Sequence, residues 1–174
     1  MAYKRVFTPE ELKSQIEETR FWWVRSYVYD CGRYYTEYIS KATVRGVPLV
    51  NIVLGRCPET GKFKMAKGII AIGRKALGVI AIGQLAIGVI PIGQLAIGLL
   101  FSLGQAALAL VSIGQLAIGP VFALGQFAVG YIAIGQIAVG VYALGQFAFG
   151  ELAYGTNVKN PEALEWFRDA MPFL

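Results

Sequence analysis

The chain contains no histidine, and with it goes the side chain that most often serves as general base, metal ligand or triad member near neutral pH. Its two cysteines, Cys31 and Cys57, lack the spacing of a zinc or iron site. A chain of 174 residues does not require them to pair. No charged side chain occurs from Ala76 to Gly150, so any carboxylate pair must come from the two ends, where Asp30 with Glu37 makes no convincing acid and base. None of the 21 glycines opens a Gly-Lys-Ser/Thr phosphate loop. No catalytic residue, cofactor site or metal site is expected, and the chain is read as a non-enzyme. The opening residues, MAYKRVFTPEE, lack the apolar core of a signal peptide. A cytoplasmic location is the resulting expectation.

Charge is unevenly placed. Residues 1–75 hold fourteen Lys or Arg against seven Asp or Glu, whereas residues 151–174 hold two against four, so the net charge of +5 originates in the amino-terminal part. Within it, Lys41, Arg45, Arg56, Lys62, Lys64, Lys67, Arg74 and Lys75 are opposed by Glu59 alone. The favoured reading is a solvated collar beside an apolar segment. The alternative is an anionic membrane contact, with Lys62, Lys64, Lys67, Arg74 and Lys75 near the headgroups.

What the chain does have is a repeat. From Gly68 to Gly155 a five-residue unit recurs seventeen times, as in GVIAI, GQLAI and GVIPI. Two units, GLLFSL and GPVFAL, have six residues, and one, ALVSI, carries Ala109 in place of glycine. So long an uncharged run invites a reading as membrane helices, since about 20 apolar residues span a bilayer. At about 100° per residue, however, a five-residue period moves each glycine off the face of the last. Nor is it the small-xxx-small spacing of packed membrane helices. A stacked β-solenoid fits better: short strands pair with the coils above and below at about 4.8 Å. Glycine suits the bends, and isoleucine, valine, phenylalanine and tyrosine suit the straight sides.

Over about residues 68–155 the unit resembles the pentapeptide-repeat family. The resemblance implies a right-handed quadrilateral β-helix of four five-residue sides, with a small residue and the large apolar residue two positions on both pointing inward. Here those pairs are Gly83 with Leu85, Gly93 with Leu95 and Gly125 with Phe127. The six-residue units agree with about twenty residues per coil, because their glycines, Gly98 and Gly119, are 21 residues apart and so share a corner. Interior stacks would then include Ile80, Phe101, Phe122 and Tyr142 on one face, and Leu85, Ala106, Phe127 and Phe147 on another. A third would hold Ile90, Val111, Ile132 and Leu152, and a fourth Leu95, Leu116 and Ile137. The fifth residue of each unit points outward, which makes Ile87, Ile97, Ile118, Val129, Val139 and Phe149 the expected self-association face. Glutamines at alternate units would form two ladders on opposite faces. Gln84, Gln105, Gln126 and Gln146 make one, and Gln94, Gln115 and Gln136 the other; they either wet the surface or set the register between protomers.

The ends read as caps. Thr8, Pro9 and Glu11 have the order of a capping box, predicting a helix to about Cys31 whose apolar side includes Leu12, Ile16, Trp22 and Trp23. Residues 1–45 are thus a helical, aromatic-rich cap, and residues 46–67 a strand-hairpin lead-in with a turn at Cys57–Lys62. Residues 68–155 are the solenoid. Residues 156–174 hold a capping helix opened by Asn160 and Pro161, with Leu164, Phe167 and Met171 on one side. Residues 46–73, GVPLVNIVLGRCPETGKFKMAKGIIAIG, are similar to a segment of uncharacterised bacterial proteins with glycine-punctuated apolar repeats, a resemblance that implies no activity.

The expected fold class is therefore mainly β, a quadrilateral solenoid with an N-terminal helix and hairpin cap and a C-terminal helix cap. The expected function is structural or scaffolding, by lateral self-association into a homo-oligomer. Peripheral or integral membrane association is the alternative, and an ice- or surface-binding module a further one. Nucleic acid is not an expected partner, because the repeat faces are neutral.

Overall fold

The structure, a computed structural model, describes residues 14–28, 34–57 and 61–171. The chain divides between Gly88 and Val89 into two units, a boundary inside the repeat.

In the first unit, β1 (Ser14–Glu18), β2 (Trp22–Val28) and β3 (Tyr34–Ser40) form an antiparallel meander that pairs Ser14 with Tyr27 and Trp22 with Ser40. The helix expected here is not formed in these residues, and Thr8, Pro9 and Glu11 lie outside the described ones. WWVRSYV and YYTEYIS are rich in aromatic and β-branched residues, which fit a pleated surface better than a helix. Tyr35 and Glu37 are both buried at the two-residue spacing of a strand. Tyr27 lies directly opposite Tyr35, with ring centroids 5.8 Å apart. β4 (Thr43–Val44) and β5 (Val47–Pro48) make a tight hairpin. Its turn residues, Arg45 and Gly46, both have positive φ (51° and 79°), which matches the twist of a two-stranded ribbon.

β6 (Val50–Leu54) joins the meander to the repeat. It pairs antiparallel with β3, Ile39 to Asn51, and parallel with β7 (Met65–Gly73), Val50 to Ile70. The lead-in is therefore not a hairpin: the strands before and after the turn run parallel. Across that turn Cys57 N–H donates to the Lys62 carbonyl (2.9 Å) and Gly61 N–H to the Cys57 carbonyl (2.8 Å). β8 (Lys75–Gly98), which continues past Gly88, pairs with β7 ten residues on, from Met65 with Lys75 to Ile72 with Ile82.

The second unit continues with β9 (Phe101–Leu108), β10 (Val111–Val139), β11 (Tyr142–Phe149) and β12 (Leu152–Tyr154), all parallel. Equivalent residues are ten apart, as in Ile132 with Tyr142, or eleven apart across a six-residue unit, as in Ile92 with Leu103. The fold is thus a β-solenoid with coils of about ten residues and two five-residue sides, not a four-sided coil of twenty.

The coil can be this small because the inward residue is the fourth of each unit. That residue is alanine at Ala71, Ala76, Ala81 and Ala86 in the first unit and from Ala117 to Ala153 in the second, each at most 1 % exposed. Two strands back to back leave room for one methyl group from each. The large third residues, expected inside, point outward: Leu95, Leu116, Phe127, Ile137 and Phe147 are 38 % to 51 % exposed. Glycine at the corner is explained by close approach. A Cβ on Gly83 would overlap the Gly73 carbonyl oxygen, and one on Gly135 the Gly125 oxygen, far inside van der Waals contact.

The six-residue units lie on alternate coils of one side and flank Ala109, the one alanine in the glycine column. A Cβ on Gly119 would meet the carbonyls of Phe122 and Leu110 and not that of the preceding corner, so the extra residues loosen the corner where a methyl group must fit. Two inward alanines nearby are replaced by serine. The buried Ser112 hydroxyl donates to the Ile118 carbonyl (2.8 Å) and lies 3.0 Å from the Ser102 hydroxyl. Ladder groups disturbed by the insertions thus keep a partner.

The C-terminal helix, α1 (Pro161–Ala170), begins as its sequence indicates: Asn160 accepts from Glu162 N–H (3.0 Å) and Pro161 takes the first turn. Its buried side is Ala163 and Phe167, whereas Leu164 is exposed and Met171 is the C-cap. Trp166 stacks on Tyr142 at 4.0 Å, so the helix covers part of an outward column. The ladder edge is closed by the segment before it. Asn157 Oδ1 accepts from Ala148 N–H (2.9 Å) and Asn157 Nδ2 donates to the Ala148 carbonyl (2.8 Å), so one side-chain amide replaces the peptide of a further coil. Thr156 N–H donates to the Gln146 carbonyl (2.8 Å), and Tyr154 pairs antiparallel with Lys159.

Candidate functional site

Three residues of each five-residue side face outward, and the two sides of the coil differ. In the second unit one side carries three columns. The second-residue column is Gln94, Gln105, Gln115, Gln126, Gln136 and Gln146, all exposed. The stacking of Gly104, Gly114, Gly125, Gly135 and Gly145 fixes this alignment. The two glutamine ladders expected on opposite faces are one stripe on one side, because a ten-residue coil brings every second unit to the same side. Among the described residues no ladder glutamine bonds to another through its side chain, which leaves the amides facing outward.

Beside the glutamines run two apolar columns. Leu95, Ala106, Leu116, Phe127, Ile137 and Phe147 form the first, and Ile97, Leu108, Ile118, Val129, Val139 and Phe149 the second. Five of the six residues expected to self-associate therefore share a column, joined by Leu108. The sixth, Ile87, lies in the first unit, in the column of Lys67 and Leu77. The opposite side of the second unit has no recurring polar column, and Trp166 of α1 covers it at Tyr142.

In the first unit Gln84 holds the second position of its own five-residue unit, and Arg74 Nε donates a hydrogen bond to it. The pairing of Met65 with Lys75 and Lys67 with Leu77 puts Lys64, Lys67, Arg74 and Lys75 on this same side. Their surroundings differ. Lys64 Nζ donates to Glu37 Oε2 at 2.8 Å, and Arg74 lies over the Phe63 ring, 3.8 Å from its centroid. Lys67 and Lys75 are exposed, and Lys62 precedes the strand.

Sequence reasoning missed Glu37 as a buried group. It is 2 % exposed, held by the Tyr35 hydroxyl (3.0 Å) and by Lys64. The alternation of YYTEYIS was the available signal. Burial first, then the neighbouring Glu37 carboxylate, pushes the Tyr35 hydroxyl well above its ordinary range, so it remains a proton donor. Cys57 is a free thiol. Among the described residues no group of three or more His, Cys, Asp or Glu could hold a metal ion, and no helix is long and apolar enough to cross a membrane.

No protein family, curated protein or solved structure matches the chain. The β-solenoid with ten-residue coils agrees with a structural, repeat-protein role.

Proposed function

We propose that the protein is a non-enzymatic cytoplasmic scaffold that self-associates side to side through the glutamine-bearing side of its coils. One observation carries this reading: the large apolar side chains that would ordinarily fill a solenoid stand outside an alanine interior, in straight columns without charge. Ile97, Leu108 and Ile118 are each at least 37 % exposed although they stack on one another along the ladder. Contiguous apolar surface of this kind marks an interaction site. A second copy is the occupant whose spacing fits, because its own rows recur at the same interval of about 4.8 Å. The glutamine stripe then fixes the register, as each amide can bond its counterpart only when the rows align. The closed edge at Asn157 favours lateral over end-to-end growth.

The test is molar mass by light scattering in detergent-free buffer over a wide concentration range. Wild type should form oligomers, and Ile97→Lys with Ile118→Lys and Val139→Lys should release protomers while the β-type dichroism persists. A wild type that stays monomeric, or a triple variant of unchanged mass, defeats the proposal. A second reading, docking on an anionic membrane, draws on the exposed Lys67 and Lys75 beside an apolar column in the first unit. Co-sedimentation with anionic but not neutral vesicles would support it.

A further inference from the structure

In the second unit the two sides of the coil differ in polarity and in what stands on them. On the glutamine side an exposed amide recurs on every coil. The opposite side has no such column. Leu110, Val121 and Tyr131 are exposed on successive coils there, with Leu103 and Leu124 exposed beyond the inward residue, and no charge interrupts them before Glu151. By apolar surface alone the opposite side is the better place for two flat faces to meet. It is also the side on which α1 lies. Trp166 stacks on Tyr142 with ring centroids 4.0 Å apart, Tyr131 meets Tyr142 edge-on at 5.6 Å, and Ala163 and Phe167 of the helix are buried.

From this arrangement we infer that α1 covers a second self-association surface and thereby holds assembly at a pair, an inference that rests on the lateral pairing proposed above. Two sheet faces pack about 10 Å apart, and a helix with its side chains is about 10–12 Å thick. A helix lying on one face therefore fills the gap that another flat face would have to close. Pairing through the glutamine side is isologous, so it uses that side in both copies and closes. Growth beyond a pair needs two opposite sides to meet, and α1 stands between them. With α1 displaced, the occupant of this surface is the opposite side of a second copy, whose rows recur at the same interval of about 4.8 Å.

Light scattering on the full chain in detergent-free buffer tests this. The mass of wild type should level off at a pair as concentration rises. Trp166→Ser with Phe167→Ser removes both rings that seat α1. A free ten-residue helix is marginal in water, so the helical part of the dichroism should fade while the β-type part persists. This undocked variant should grow beyond a pair. Adding Val121→Lys with Leu124→Lys, both at exposed positions of the opposite side, should return it to a pair, and the two lysines alone should leave the wild-type pair unchanged; general loosening of the fold would produce neither result. Placed in the undocked variant, Ile97→Lys with Ile118→Lys and Val139→Lys should stop growth at a pair joined through the opposite sides, whereas the same triple in wild type gives single chains. A monomeric wild type defeats the pairing and the limit with it. A wild type that grows beyond a pair, an undocked variant that stays at one, or growth that Val121→Lys with Leu124→Lys does not reverse defeats the limit alone and leaves the glutamine-side pairing standing.

Discussion

The corner glycines provide the sharpest test of the ten-residue coil. In Gly135→Ala the added methyl would stand 2.0 Å from the Gly125 carbonyl oxygen, with the Gly125 carbonyl carbon at 3.1 Å and the Gln126 oxygen at 3.3 Å. Carbon-to-oxygen contacts ordinarily begin at about 3.3 Å. All three obstacles are backbone atoms, so no rotamer relieves the clash and the two coils must part at that corner. Overpacking of about 1–3 kcal/mol, together with two weakened ladder hydrogen bonds of roughly 0.5–1.5 kcal/mol each, gives a destabilisation of about 2–6 kcal/mol. Gly46→Ala is the comparison. It has open space but a φ of 79°, so it costs only the left-handed strain of about 1–2 kcal/mol. Urea unfolding followed by dichroism measures both, with the breadth of the transition recorded because repeat arrays can lose cooperativity. A Gly135→Ala protein within about 0.5 kcal/mol of wild type, or one less affected than Gly46→Ala, would refute the close-approach argument.

Three further outcomes follow from the packing of the caps and the coil interior. Ser112→Ala removes a donor from the Ile118 carbonyl and leaves Ser102 without its partner, and should cost about 1–3 kcal/mol; adding Ser102→Ala should cost little more, since replacing both partners is far milder than orphaning one. Because the Tyr35 pKa is raised on folding, its contribution is full below the unfolded value near 10 and declines as pH rises above it. Tyr35→Phe should therefore flatten the alkaline limb of a stability profile measured by urea titration. Asn157→Ala reopens both the N–H and the carbonyl of Ala148, and should produce concentration-dependent elongated particles in light scattering; particles of unchanged shape would show that the amide is not the stop.

The solenoid was legible from the five-residue period, and the C-terminal helix from Asn160 and Pro161, because both signals are local. Coil size was not. The inward pair implied by the family resemblance placed Leu85 and Phe127 inside, where only a four-sided coil has room, and it gave no weight to the small residue at the fourth position of most units. The decisive clue was the glutamine spacing: a polar residue in every second unit marks one side of a two-sided coil. The N-terminal cap misled for another reason. Thr8, Pro9 and Glu11 do resemble a helix start, but in the strands that follow, tertiary pairing of Tyr27 with Tyr35 outweighs local capping. The burial of Glu37 was signalled only by the alternation of YYTEYIS, whereas its ion-pair partner Lys64, 27 residues on, had no local signal.

An interior of methyl groups has a consequence for how this fold is stabilised. Alanine brings little apolar area out of water, so the core alone contributes little against the ordering of ten residues per coil. What remains is the hydrogen-bonded ladder and the contact of each outward side chain with the one above and below it, as between Ile97, Leu108 and Ile118. Those columns are half-covered in a single chain, and a neighbour that covers them strengthens the same contacts that hold the coils together. Under the proposed self-association, folding and association would be coupled through one set of side chains. The lack of charge from Ala76 to Gly150 belongs to the same physics, because a charged residue in any column would place like charges about 4.8 Å apart when repeated and would have to be desolvated when two faces meet. Glutamine is neutral, so it recurs at that interval without like-charge repulsion, and its amide is less costly than a charge to desolvate when it is hydrogen-bonded.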